Sequence, residues 1–330
     1  MSKKIVIVGA GYAGIETALR LNKLNKLKEV EITVIDKNSY HTLLTELHEV
    51  AGNRVSEEAV RIPLNRIFKY TDINIVCDKI TKYDYENNVV KSDTKDYAYD
   101  YLVLAIGSSP NFFNIKGLEE NAFTLWSFDD AIRIREHIKD CFVKASTEED
   151  PEKRKQLLTF AISGAGFTGV EMMGELAQWV KSLVKEHRID RSEVRLIIVD
   201  MLPRILNNLG EENAKKAHEY MEKKLNVEVR LNTAVKEVTA EGFSTGNEFI
   251  KTKTLIWAAG VRANNDVDEM QLGKPCRANR VKVDQYCRTD YKNVYAIGDV
   301  SGLICPIDDR EYPAMVENAL QTGHGVAKNI

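Results

Sequence analysis

The chain has only five cysteines in 330 residues, Cys77, Cys141, Cys276, Cys287 and Cys305, and no two of them are spaced as C-x-x-C or C-x4-C. An odd, scattered set indicates neither a disulfide framework nor a thiolate metal knuckle, and no metal site is expected. An excess of charge of either sign is also missing, with 46 Lys+Arg against 49 Asp+Glu and a net charge of −3. Without a broad positive field there is nothing to hold nucleic acid or an anionic membrane surface, which leaves small ligands and protein partners. No apolar run approaches the ~18 residues of a membrane span. The stretch Lys3-Lys4-Ile5-Val6-Ile7-Val8 runs straight into glycines instead of continuing as a signal-peptide core, so a cytoplasmic location is expected. What is there is an ordinary globular balance, 44% hydrophobic and 29% charged. At roughly 150 residues per domain, the length suggests two domains.

An internal repeat sets the architecture. Ile5-Val6-Ile7-Val8 leads into Gly9-Ala10-Gly11-Tyr12-Ala13-Gly14 and then a helical pattern through Ile15, Ala18 and Leu19, which is strand, tight turn, helix. Phe160-Ala161-Ile162-Ser163 leads in the same way into Gly164-Ala165-Gly166-Phe167-Thr168-Gly169 and a helix carrying Met172, Leu176 and Val180. Each copy continues into a hydrophobic strand ending in an acid, Asp36 and Asp200, and each is closed by a similar strand, Tyr101 to Gly107 and Leu255 to Gly260. From first glycine to closing glycine the spans are 98 residues (Gly9 to Gly107) and 96 (Gly164 to Gly260), so whole domains correspond. The glycines allow a tight turn, close approach of backbone to a pyrophosphate and close helix packing, while the acid suits a ribose hydroxyl. Two dinucleotide sites are therefore expected on an α/β fold of two Rossmann-like domains.

Ser127 and Asp130 have capping-box spacing for a helix with an apolar face of Ile134, Ile138, Cys141 and Phe142. Residues 145–156 are almost free of apolar side chains and read as a solvated connector. The stretch Val294-Tyr295-Ala296-Ile297-Gly298-Asp299 is a late strand ending in Gly-Asp at its carboxyl end, where open α/β sheets bind ligands. These signals give a first domain of 1–113 and 264–330, with a second, 114–263, inserted in it.

At this late Gly-Asp the sequence resembles the two-dinucleotide-binding-domain flavoproteins, and within them the type II NADH dehydrogenases, the single-subunit NADH:quinone oxidoreductases. The matching stretches are Tyr40 to Gly52, Gly164 to Glu171, and Trp257-Ala258-Ala259-Gly260-Val261-Arg262. The resemblance implies FAD in the first domain, with hydride passing to it from NADH in the second. It implies an FAD site of Gly9, Gly11, Tyr12, Ala13, Gly14, Asp36, Lys37, Ile80, Ala105, Gly107, Gly298, Asp299, Ala314, Met315 and Val316, with Asp299 on the ribityl chain. For NADH it implies Gly164, Gly166, Phe167, Thr168, Gly169, Glu171, Asp200, Ala259 and Gly260. A last helix is expected from Pro313 at its N1 position, with Val316, Ala319, Leu320, Gly323 and Ala327 as its packed face and its positive end toward the flavin. Glu171, in the first turn of the second glycine helix, is the candidate catalytic residue, beside the nicotinamide and flavin junction.

The sequence departs from the family at the quinone pattern A-Q-x-A-x-Q-x-G, where it has Val316-Glu317-Asn318-Ala319-Leu320-Gln321-Thr322-Gly323, so Glu317 and Gln321 are the candidate acceptor-site residues. The family also continues beyond this helix with an amphipathic membrane anchor, so a peripheral place on the cytoplasmic membrane face is expected only if such an extension belongs to the protein. The alternatives are a soluble NADH:acceptor reductase serving an electron-carrier protein or a fused module, and a non-catalytic NADH/FAD redox sensor; a homodimer is left open. Thiol chemistry is disfavoured, because the loop Asn38-Ser39-Tyr40-His41 holds no cysteine and Cys77 and Cys305 read as structural. His41, His48 and His324 read as ordinary polar residues. Asp200 favours NADH over NADPH, while Arg204, four residues on, is left open as a partner for a 2′-phosphate.

Overall fold

In the computed structural model, which describes residues 2–273 and 276–330, the repeat unfolds into two five-stranded parallel sheets that share the order of four strands and differ in the origin of the fifth. The strands that build them are β1 (Lys3–Val8), β2 (Val30–Asp36), β3 (Asn74–Cys77), β4 (Tyr101–Leu104), β5 (Phe123–Thr124), β6 (Thr159–Ser163), β7 (Arg195–Val199), β8 (Val227–Arg230), β9 (Thr254–Trp257) and β10 (Val294–Ala296). The helices that matter for the site are α1 (Tyr12–Leu24), α2 (Leu47–Ala51), α3 (Phe128–Thr147), α4 (Pro151–Leu157), α5 (Phe167–Glu186) and α6 (Val316–Asn329).

The chain divides into two compact units. The first takes the chain up to Thr42 together with Arg61–Ser109 and Val261–Ile330. Its five-stranded sheet has the order β10-β4-β1-β2-β3, and every pair is parallel. The strand order reverses at β1, so the crevice at its carboxyl end is a topological switch point. β1 reads Lys-Lys-Ile-Val-Ile-Val with its last four residues buried, as expected of a central strand covered on both faces. Gly323 lets α6 lie close against α1, because a Cβ there would stand 2.7 Å from the Ala13 carbonyl oxygen and 2.9 Å from Thr17 Oγ1.

The second unit takes Leu43–Val60 and Pro110–Gly260. Its sheet has the order β5-β9-β6-β7-β8, again parallel throughout. The edge beyond the closing strand is filled by β5 from the start of this unit, whereas the first unit fills it with β10 from the end of the chain. Each unit also carries an antiparallel three-stranded meander before or beside its closing strand, Ile80–Asp84 to Asp96–Ala98 in the first and Glu237–Thr239 to Phe249–Lys251 in the second.

Three expectations need correction. The segment Leu43–Val60, placed by sequence in 1–113, packs with the second unit: Leu47, Val50, Ala51 and Val60 are buried in one core with residues of α3 and α5. The unit boundaries accordingly fall at 109/110 and 260/261 rather than at 113/114 and 263/264. The polar stretch 145–156 is mostly helical, because Asp150 accepts from the Glu152 and Lys153 N–H groups and Pro151 follows it at N1 of α4. Pro313 does not start the last helix. α6 begins at Val316 with Met315 as N-cap, while the Pro313 carbonyl accepts from Asn318 Nδ2 at 2.9 Å, and Leu320 is exposed instead of packed. The helix at Ser127 has the expected start, a capping box in which Ser127 Oγ accepts from the Asp130 N–H and the Asp130 carboxylate accepts from the Ser127 N–H.

Candidate functional site

The two glycine turns are built alike, atom for atom. In the first unit the Gly9 N–H donates to the Ile35 carbonyl and the Ala105 N–H to the Val8 carbonyl, both at 2.8 Å. In the second, the Gly164 N–H donates to Val199 and the Ala258 N–H to Ser163, again at 2.8 Å. The acid at the end of each second strand then braces the turn. Asp36 Oδ2 accepts from the Ala10 N–H at 2.7 Å and Asp200 Oδ2 from the Ala165 N–H at 2.6 Å. Their other oxygens accept from the Asn38 and Leu202 N–H groups, both at 2.8 Å. A carboxylate offers about four acceptor positions, so two backbone bonds leave capacity for a ligand hydroxyl.

The three glycines of each motif divide into two kinds. Gly9 and Gly164 sit at φ +105° and +107°, in the left-handed half of the map, and a Cβ on either would lie 2.3 Å from the Ala105 oxygen or 2.7 Å from the Ala258 carbonyl carbon. Gly14 and Gly169 bring helix to turn, with a Cβ falling 2.0 Å from the Gly9 oxygen and 1.8 Å from the Gly164 oxygen. The fold itself requires these four. Gly11 and Gly166 are different: their φ values of −77° and −75° suit any residue, and a Cβ would meet nothing within 4 Å. At a turn that follows the carboxyl end of a central parallel strand, an N-cap glycine with open space around it leaves room for a phosphate to approach the uncapped N–H groups of the helix. The residues present therefore fit two dinucleotides.

Around the first turn, Tyr12, Ala13, Asp36, Lys37, Ile80, Ala105 and Gly107 lie at the carboxyl ends of β1, β2 and β4 or on the segments that follow them, apart from Ile80, which opens the meander. Gly298 and Asp299 follow β10, and Ser108 Oγ donates to Asp299 Oδ2 at 2.7 Å. Ala314, Met315 and Val316 form the entry to α6, while Glu317 and Gln321 are exposed one turn apart on it. A cavity of about 270 Å³ runs along this helix, lined by Gln321 with Tyr286, Leu303, Tyr312 and Val326 among others. Around the second turn, Gly166, Phe167 and Thr168 are exposed at the start of α5, with Ala259 and Gly260 following β9.

His41 is a site residue that sequence reasoning left among ordinary polar side chains. It is buried, its ring meets Tyr12 edge-on at 4.8 Å, and its Nδ1 lies 2.9 Å from the Ala10 carbonyl oxygen. A carbonyl only accepts, so Nδ1 carries the proton. Burial lowers the pKa of the imidazole, which keeps it neutral. It buttresses the first glycine turn, and no sequence signal marks it.

The cysteines are all free, and burial pushes the Cys141 thiol up to about 11 and Cys287 up to about 12, which removes thiolate character. Arg204 points its Nη2 at the Asn207 and Leu209 carbonyls, at 2.9 and 3.2 Å, and so serves the loop after Asp200. Among the described residues no helix is long and apolar enough to cross a membrane.

Comparison with known proteins agrees with this geometry. Residues 3–323 match the pyridine nucleotide-disulphide oxidoreductase family. A type II NADH:quinone oxidoreductase of Staphylococcus aureus is 32% identical over 99% of this chain and 82% of its own length. Among solved structures, NDH2 of Plasmodium falciparum in complex with NADH superposes with a TM-score of 0.88 at 20% identity, over 99% of this chain and 83% of that one. A sulfide:quinone oxidoreductase of Aquifex aeolicus reaches 0.79 at 21% identity, over 99% and 76%. At those identities the two structures show the shared fold alone.

Proposed function

The chain belongs to the pyridine nucleotide-disulphide oxidoreductases and, within them, to the type II NADH:quinone oxidoreductases, and from that premise we propose that it is an FAD-dependent NADH dehydrogenase whose electrons go on to quinone. The overall change is NADH + H⁺ + quinone to NAD⁺ + quinol. FAD, which the first glycine turn with Asp36 and Asp299 would hold, would supply the two-electron relay between NADH and the acceptor.

The observation that carries the reading is the pair of glycines, Gly11 and Gly166, whose missing side chains serve no contact within the chain. In this reading the first turn, with Asp36 and Asp299, holds FAD, and the second, with Asp200, holds NADH. Asp36 and Asp200 offer their remaining lone pairs to ribose hydroxyls. Asp299, already fixed by Ser108, offers its other oxygen to the ribityl chain. His41 keeps the first turn in shape without carrying charge. The five cysteines are free and form no disulfide to receive the electrons, which favours an external acceptor.

The test is to reconstitute the protein with FAD, add NADH, and follow reoxidation by soluble quinone, ferricyanide and oxygen in parallel. Repeated turnover with quinone is expected. Failure of NADH to bleach a bound flavin would overturn the reading, and a single bleaching with no turnover on any acceptor would favour a sensor. Asp299→Ala should weaken FAD retention roughly 5- to 150-fold, the equivalent of about 1–3 kcal/mol for hydroxyls left without an acceptor. Ultrafiltration of released flavin measures it, and unchanged retention would remove Asp299 from the site.

A further inference from the structure

The second unit holds a knot of charged side chains where α2 meets α5. Gly52 ends α2 so close to α5 that a Cβ there would lie 2.5 Å from the Glu175 Cβ, and Leu47, Val50 and Ala51 are buried beneath. This seating brings His48 Nδ1 to 3.8 Å from Glu171 Oε2, an ion-pair separation. The His48 side chain is only 12% exposed and that of Glu171 47%, so the imidazole is backed by protein while the carboxyl group opens outward.

We propose that His48 is the positioning residue of Glu171, holding its carboxylate at the first turn of α5 for the reaction with NADH. The proposal rests on the function given above. A nicotinamide ring gains positive charge as it gives up hydride, and a fixed carboxylate nearby stabilises that change.

The surroundings show why the histidine is needed. Besides His48, α2 brings Glu49 and its N-cap Glu46, and α5 brings Glu175 next to Glu171. Arg54, which follows α2, is already taken by Glu49 and, at 2.9 Å, by Glu175. Arg135 on α3, which also packs on α2, is taken by Glu57 at 2.7 Å and Glu136 at 2.8 Å. Burial raises the pKa of Glu171, Glu46 raises it further, and His48 alone opposes them. Removing His48 takes away the one influence that lowers the Glu171 pKa, so Glu171 takes up its proton at higher pH.

The experiment uses the FAD-loaded protein and measures kcat/KM for NADH from pH 5 to 9 with ferricyanide in excess. In His48→Gln the acidic limb should move up by about half to one pH unit. Glu171→Gln should abolish that limb, and adding His48→Gln to it should change nothing more. His48→Asn carries the same expectation, so a poorly folding glutamine variant does not end the test. A pH-independent loss in His48→Gln and His48→Asn, or an equal loss with and without Glu171, would overturn the proposal and leave His48 a packing residue. Failure of NADH to bleach the flavin of the parent at every pH would instead overturn the function on which it rests.

Discussion

Gly166→Val should give a folded flavoprotein that NADH reduces poorly, with KM raised about a hundredfold or more. The backbone there, at φ −75° and ψ −168°, is one that valine adopts readily, and nothing within 4 Å obstructs a Cβ. The added methyl groups fall where a pyrophosphate would approach the start of α5, and a hundredfold loss corresponds to about 2.8 kcal/mol of binding. Gly169→Ala, three residues on, should do the opposite. Its Cβ would lie 1.8 Å from the Gly164 carbonyl oxygen, a backbone atom that cannot swing aside, so the helix must shift and the fold suffers. Thermal melts and NADH titrations of the two variants separate these effects. A Gly166→Val protein that reacts with NADH like the parent, or a Gly169→Ala protein that melts like it, would mean that the glycines do not divide the work between ligand and fold.

That division could not be read from the sequence, which shows three glycines and not which of them the chain itself needs. What was legible is whatever local chemistry repeats: strand, glycine turn, helix and terminal acid, each written twice, together with the Ser127–Asp130 capping box. What was not legible depends on contacts far apart in the chain. Leu43–Val60 joins the second unit through Leu47, Val50, Ala51 and Val60, apolar residues that carry no address of their own. His41 looks like any loop histidine until the Ala10 carbonyl, 31 residues away, is seen to accept a hydrogen bond from its Nδ1–H. Helix α4 lies in a stretch without apolar periodicity, yet Asp150-Pro151 is an N-cap and N1 pair that could have revealed it. The start of α6 was misplaced because Pro313 is a favoured N1 residue by composition, while the fold uses its carbonyl to hold Asn318.

Asp200→Asn should bring NADPH much closer to NADH in kcat/KM, and the geometry says why asparagine is the informative substitution. The carboxylate has two duties: it braces the turn by accepting from the Ala165 N–H at 2.6 Å, and it meets the ribose with its remaining lone pairs. Alanine would remove both, so a loss of turn geometry would blur any change in preference. Asparagine removes the charge but keeps an acceptor for the Ala165 N–H, at the cost only of the second backbone bond, from the Leu202 N–H. A unit charge about 4 Å from a phosphate in a partly exposed site costs on the order of 2–4 kcal/mol, or roughly 30- to 1000-fold in relative efficiency. Asp200→Asn should recover much of that by improving NADPH, with a smaller fall for NADH. Arg204→Ala should leave the preference alone, because its Nη2 is directed at the Asn207 and Leu209 carbonyls, and should lower thermal stability by loosening that loop. Steady-state kinetics with both nucleotides decide the matter: equal efficiency in the parent, or a preference that collapses in Arg204→Ala while surviving in Asp200→Asn, would transfer the selecting role from the acid to the arginine.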